Sequence, residues 1–167
     1  MKIKSILIVL CFVLATYSCS NEQVFELPEN ALELLTANNS KTWKLAKRTN
    51  DGYRMNMGDC FLSYRVMYNS DGTTTDNNSK NNDCGESMEA NWSFYTNENG
   101  AYIKLEGEKV KTLLNIENDY KFFKLHELSD TSLVVSFRHK QFGNKERVIK
   151  DYLVPEDMVV KDRDYHN

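Results

Sequence analysis

From Lys41 to Val154 the chain repeats one device: a short run in which apolar and polar residues alternate, then a few residues of turn chemistry. Alternation sends successive side chains to opposite faces, so each run reads as a strand with one buried face. The runs are Thr42–Thr49, with Trp43 and Leu45 on one face, and Cys60–Asn69, where Leu62, Tyr64, Val66 and Tyr68 alternate with Ser63, Arg65 and Met67. Thr73–Thr75 starts a return strand, and Trp92–Thr96, Ala101–Leu105, Val110–Ile116, Tyr120–Leu125, Ser132–Arg138 and Arg147–Val154 follow. Their separators include Asp71-Gly72, Asn97-Glu98-Asn99-Gly100, Glu106-Gly107, Glu117-Asn118-Asp119, Ser129-Asp130 and Gly143-Asn144, and a glycine after aspartate supplies the positive φ of a tight hairpin. Connections this short join antiparallel neighbours, because parallel pairing needs a long crossover. The expected fold is all-β, an antiparallel meander of about eight or nine strands that removes its edges by closing into an up-and-down barrel. An open β-sandwich is the alternative.

Ahead of the strands, Pro28-Glu29-Asn30 leads into Ala31, Leu32, Leu34 and Leu35, the acidic start and clustered leucines of one short helix. Asn38, Asn39 and Ser40 end it. Its apolar side is expected to pack on the end of the sheet, a docking role being the other reading. Asp76–Glu86, DNNSKNNDCGE, is a polar loop, and beyond Pro155 a charged tail leaves the sheet.

The N-terminus carries Lys2 and Lys4, the apolar run Ile6–Ala15, and small Ser18 directly before Cys19. This resembles a bacterial lipoprotein export signal, and the run is too short to span a bilayer. The resemblance implies a signal over 1–18, lipid attachment at Cys19, a flexible tether over 19–27, a folded domain over 28–155 and a tail over 156–167. An ordinary signal cut near Ser18, leaving a plain thiol, is the competing reading. Ser20-Asn21-Glu22-Gln23 lacks the aspartate of inner-membrane retention, which favours an outer-membrane anchor facing the periplasm or the cell surface. Removing 1–18 leaves 149 residues, enough for one domain, with 19 basic and 24 acidic side chains, a balance of −5. No basic stripe with interleaved aromatics is present, so no nucleic-acid partner is expected and membrane contact should come through the lipid. Export also means an oxidising compartment, in which Cys60 and Cys84 read as a disulfide, with two free thiols as the alternative.

Chemistry-bearing motifs are missing: the sequence has no phosphate loop, nucleophile elbow or HExxH. His126, His139 and His166 are scattered and read as rim or surface residues. Asp71, Asp76 and Asp83 lack the spacing of a calcium loop and read as turn formers and solvated side chains. No enzyme activity, metal or cofactor is expected. Nine tyrosines, eight phenylalanines and two tryptophans leave two readings, a packed core or the lining of a cavity for a small apolar ligand. Trp43, Tyr68, Trp92 and Phe94 are the candidates for that lining. The runner-up function is an accessory envelope protein whose outer surface or loops contact another protein.

Taken in order, several residues resemble the bacterial lipocalin-like lipoproteins over roughly residues 34–155. They are a helix before Lys41-Thr42-Trp43-Lys44-Leu45, then Cys60, the Asp71-Gly72-Thr73 hairpin, Cys84, and Trp92 opening a strand. Phe122-Phe123-Lys124-Leu125 and Leu128 to Leu133 close the pattern. The resemblance implies a small calyx-like, lipocalin-like barrel on a lipid anchor.

Overall fold

The computed structural model describes residues 24–140 and 145–163. The period-two runs become strands β1 (Ser40–Asn50), β2 (Tyr53–Arg54), β3 (Arg65–Asn69), β4 (Thr73–Asp76), β5 (Glu89–Asn97), β6 (Gly100–Glu106), β7 (Tyr120–Leu128), β8 (Leu133–Lys140) and β9 (Glu146–Pro155). Neighbours pair antiparallel in the order β2-β1-β3-β4-β5-β6-β7-β8-β9, and β9 returns to pair with β1 from Trp43↔Pro155 to Asn50↔Ile149. The sheet is therefore a closed eight-stranded barrel, as expected from the short connections, with β2 as an extra strand on the end of β1. Asp51 and Gly52, at φ 47° and 85°, form the tight turn between β1 and β2 that two left-handed residues allow.

Among the described residues, α1 (Ala31–Thr36) precedes the meander and two further α-helices interrupt it, α2 (Asp59–Ser63) and α3 (Glu108–Leu114). The latter two correct the sequence reading. Val110–Ile116 is not a strand: Val110, Leu113 and Leu114 stand at helical spacing, Val110 is fully buried, and Asn115 ends the helix in the left-handed conformation. The run Cys60–Asn69 is strand only from Arg65; its first residues form α2, whose first turn closes with Phe61 and Leu62 N–H donating to Gly58 O. Within the polar loop, Asn78–Lys80 makes one 3-10 turn.

The two ends of the barrel differ. One carries the tight hairpins after β3, β5 and β7 and is plugged by α1. There Leu35, Trp43, Leu45, Ile103, Leu125 and Leu133 are buried, and Trp43 Nε1 donates to Leu35 O at 3.0 Å. Lys41 Nζ donates to Leu34 O and Asp130 O and lies over the Trp43 ring, tying α1 to β1 and to the β7–β8 turn. Of the segment read as a tether, residues 19–23 lie outside the described residues, whereas Phe25 and Leu27 pack against the core. The other end is built from α2, α3 and the 77–88 loop. Cys60 and Cys84 are bonded there, with Cα atoms 5.4 Å apart, which fastens the start of α2 to that loop. The charged tail does not simply leave: Arg163 donates to Leu45 O and Leu62 O.

Closing a loop of 24 residues' separation constrains the unfolded chain by about 3 kcal/mol in the chain-entropy argument. Urea unfolding with reductant is expected to show a loss of that order. A Cys60→Ser/Cys84→Ser double variant should unfold like the reduced protein and be indifferent to reductant; equal midpoints with and without reductant would contradict this.

Candidate functional site

The half of the barrel away from α1 is not filled. A cavity of about 520 Å³ opens between α2, α3 and the loop carrying Cys84. Its apolar walls include Phe61, Val66, Met88, Leu105, Phe123 and Phe137, and Leu113 and Leu114 of α3 stand at its rim.

Polar side chains enter this space because of one backbone irregularity. Leu45 pairs with Leu153 and Lys47 with Tyr152, so Ala46 is an extra residue on β1. An inserted residue reverses which face the following side chains take. Leu45 points inward and so does Arg48, whereas Lys47 turns outward over the Tyr152 ring at 3.8 Å. The bulge thereby sets Arg48 opposite Asp151 of β9. Arg48 Nε and Nη2 donate to the two Asp151 carboxylate oxygens at 2.5 and 2.6 Å, and the guanidinium lies 4.5 Å from the Phe61 ring centre. Burial opposes the Arg48 charge, but hydrogen bonding and attraction to Asp151 outweigh it and hold its pKa above the ordinary value.

Tyr64 and Tyr68 share the cavity wall. Burial first, and then neighbouring carboxylates, Asp76 and Asp151 for Tyr64 and Asp151 for Tyr68, push both phenols well up, so each stays a neutral O–H. His139 lies on the wall toward the rim, where burial and then Lys121 and Arg48 lower its pKa. Asp76 is half-buried, accepting from Asn78 N–H at 3.0 Å. Burial raises its pKa, with that and other hydrogen bonds opposing.

The Asp76 shift carries a sign. The native state holds this proton more tightly than the unfolded chain, so its contribution to stability falls as pH rises from the unfolded carboxylate range through the native value. Asp76→Asn is expected to flatten that part of the stability profile. At neutral pH it should stabilise by on the order of 0.5 kcal/mol, the carboxylate being partly screened by solvent. Denaturation midpoints across pH 4 to 8, read on both proteins, check this; a steeper profile in the variant would contradict it.

Of the four aromatic candidates from the sequence, Tyr68 lines the cavity and the others lie elsewhere. Trp43 packs beneath α1. Trp92 donates from Nε1 to Asn69 O at 3.0 Å and stacks edge-on between Tyr68 and Phe94, forming with them a floor between cavity and plugged end. His126 sits in a second bulge, on β7, and its Nε2 is hydrogen-bonded to Ser136 Oγ at 2.8 Å. Asp71 is the turn former expected, accepting from Thr73 N–H and Oγ1, and Asp83 is exposed. Asp76 is a correction, since it faces the cavity wall rather than bulk solvent. Cys19 and His166 lie outside the described residues. The described residues contain no group of three or more His, Cys, Asp or Glu side chains placed to hold a metal ion, and no helix among them is long and apolar enough to cross a membrane.

The sequence reading missed Arg48, Asp151 and Tyr64 as site residues. Arg48 and Lys47 are adjacent cations, and the alternation from Trp43 and Leu45 points inward to Lys47; only the bulge selects Arg48. Asp151 did carry a signal, a lone charge at an inward position between Ile149 and Leu153.

A family model for the lipocalin-like domain matches residues 40–135, more than half of the chain. The chain belongs to the lipocalin-like domain family. The matched region runs from the start of β1 into β8, and β9 completes the barrel. Among solved structures, a lipocalin-like protein from Bacteroides uniformis ATCC 8492 is similar, at 18% identity and a TM-score of 0.46, with 72% of this chain and 97% of that chain covered. Comparison with the curated proteins finds no match. The lipocalin-like barrel is a fold whose family is generally ligand-binding and non-enzymatic, consistent with a small apolar ligand.

Proposed function

We propose that this lipocalin-like protein is a non-catalytic cell-envelope lipoprotein, anchored through a lipid on Cys19 to the outer membrane, whose barrel holds a small, mainly apolar ligand. The observation that carries the binding part is the 520 Å³ cavity, a volume in the range of small-molecule sites, walled by aromatic and aliphatic side chains in a barrel that is otherwise packed. The anchor rests on the sequence pattern around Cys19.

An environment-sensitive apolar dye should gain fluorescence on the wild-type protein and lose that gain in Met88→Trp, which puts a bulky indole in place of a slender thioether in the cavity wall. Equal dye binding by both proteins would overturn the cavity as the site. Mass spectrometry of the purified N-terminus should find acylated Cys19, and an unmodified N-terminus would overturn the anchor.

One observation favours a second reading. On the outer face, Tyr95, Tyr102, Tyr120 and Phe122 form a partly exposed aromatic cluster with ring centres 5.1 to 6.1 Å apart. A protein partner docking there should be lost from in-cell crosslinks placed at position 95 when Phe122 becomes Ser.

A further inference from the structure

We propose that the cavity selects amphiphilic amines, molecules with an apolar body and a single ammonium head, over carboxylates and neutral alcohols of the same body. The inference rests on the cavity being a ligand site and names the chemical class it takes.

The charged side chains of the cavity wall are Arg48, Asp76, Glu86 and Asp151, with His139 held toward its neutral form. Arg48 is consumed by Asp151, which takes two of its N–H groups. That leaves Asp76 and Glu86, and neither forms an ion pair among the described residues. The cation that acts on Asp76, Lys109, is engaged elsewhere, 3.2 Å from Glu89 Oε1 and donating to Ser87 O. The wall is therefore negative: Asp76 stands half-buried, where charge is felt more strongly than in water, and Glu86 adds an exposed carboxylate at the edge.

A second observation points the same way. Tyr68 is 8% exposed and lines the cavity, yet its hydroxyl has no hydrogen-bond partner among the described residues, nor has that of Tyr64. These hydroxyls open onto the cavity rather than being sealed in the protein, so a ligand group can bond them in place of solvent. An ammonium brings three donors to phenol and carboxylate oxygens, and the faces of Tyr64, Tyr68, Phe123 and Phe137 attract a cation. A carboxylate head has one cationic partner available, Arg48, and would have to displace Asp151 and leave it buried beside another anion. That exchange costs more than it returns.

Calorimetric titration of the full chain at neutral pH with n-octylamine, 1-octanol and octanoate separates the heads on one body. The expected order is amine tightest and octanoate weakest, with about tenfold or more between those two, the worth of one favourable charge contact. Asp76→Asn should lower amine affinity several-fold while leaving octanol binding unchanged, and Glu86→Gln should act in the same direction to a smaller degree. Octanoate binding as tightly as the amine overturns the selectivity and leaves the cavity reading standing, as does an amine preference that survives both substitutions. No binding by any of the three overturns both readings.

Discussion

Asp151→Leu is expected to destabilise the barrel by about 3–5 kcal/mol, the cost of leaving a buried cation without its partner. The Asp151 side chain is 9% exposed and that of Arg48 18%, and among the described residues no other carboxylate forms a salt bridge with Arg48. Removing Arg48 instead, as Arg48→Met, strands the carboxylate and should cost a similar amount. The informative protein is the double variant. Methionine and leucine facing each other across β1 and β9 fill the space with apolar atoms, and replacing both members of a buried pair is often neutral or stabilising. Urea unfolding should show both single variants falling and the double variant recovering most of the loss. A double variant less stable than either single one would mean that the pair stabilises the native state outright. Its cost to ligand binding is a separate matter, since both side chains line the cavity.

Trp43→Ala should cost about 3–5 kcal/mol as well, for a different reason: the indole is wholly buried and its removal leaves a void between α1 and the barrel floor. Trp43→Phe tests the hydrogen bond alone. It keeps most of the apolar contact but leaves Leu35 O, at the end of α1, without its donor, worth about 1–2 kcal/mol. If α1 is held as described, limited proteolysis of either variant should cut first in residues 28–39. Cleavage there with wild-type kinetics would show that the plug is held by other contacts, Lys41 to Leu34 O among them.

The strands were legible because a half-buried strand must alternate, and a barrel of eight short antiparallel strands repeats that constraint many times over. Closure followed from connections too short for anything but neighbours. What escaped were departures from period two. Val110, Leu113 and Leu114 fit a helical face as well as a short strand, and Asn115 after Leu114 was the stop signal that should have decided it. Asp51-Gly52 was as good a hairpin signal as Asp71-Gly72, and overlooking it hid β2. The disulfide was legible once Cys60 and Cys84 were read as a pair. The cavity was not, because alternation tells which side chains face inward and is silent on the space left between them. So the large aromatics were placed on the cavity wall, where bulk alone suggested them, whereas Trp43, Trp92 and Phe94 serve the filled half of the barrel.

Ala46 has a consequence for how such a barrel changes over generations. Losing one residue from a regular strand exchanges the inner and outer sets beyond it. At Ala46 the reverse holds, because Leu45 already pairs with Leu153 and Lys47 with Tyr152, leaving Ala46 as the unpaired surplus. A deletion there would straighten β1 and keep Arg48 opposite Asp151. β1 can therefore shed a codon at this point without changing which side chains the cavity meets, whereas the same loss between Trp43 and Leu45 would require the slack of the bulge to restore the pairing. Relatives lacking the bulge residue would be expected to keep the same pocket.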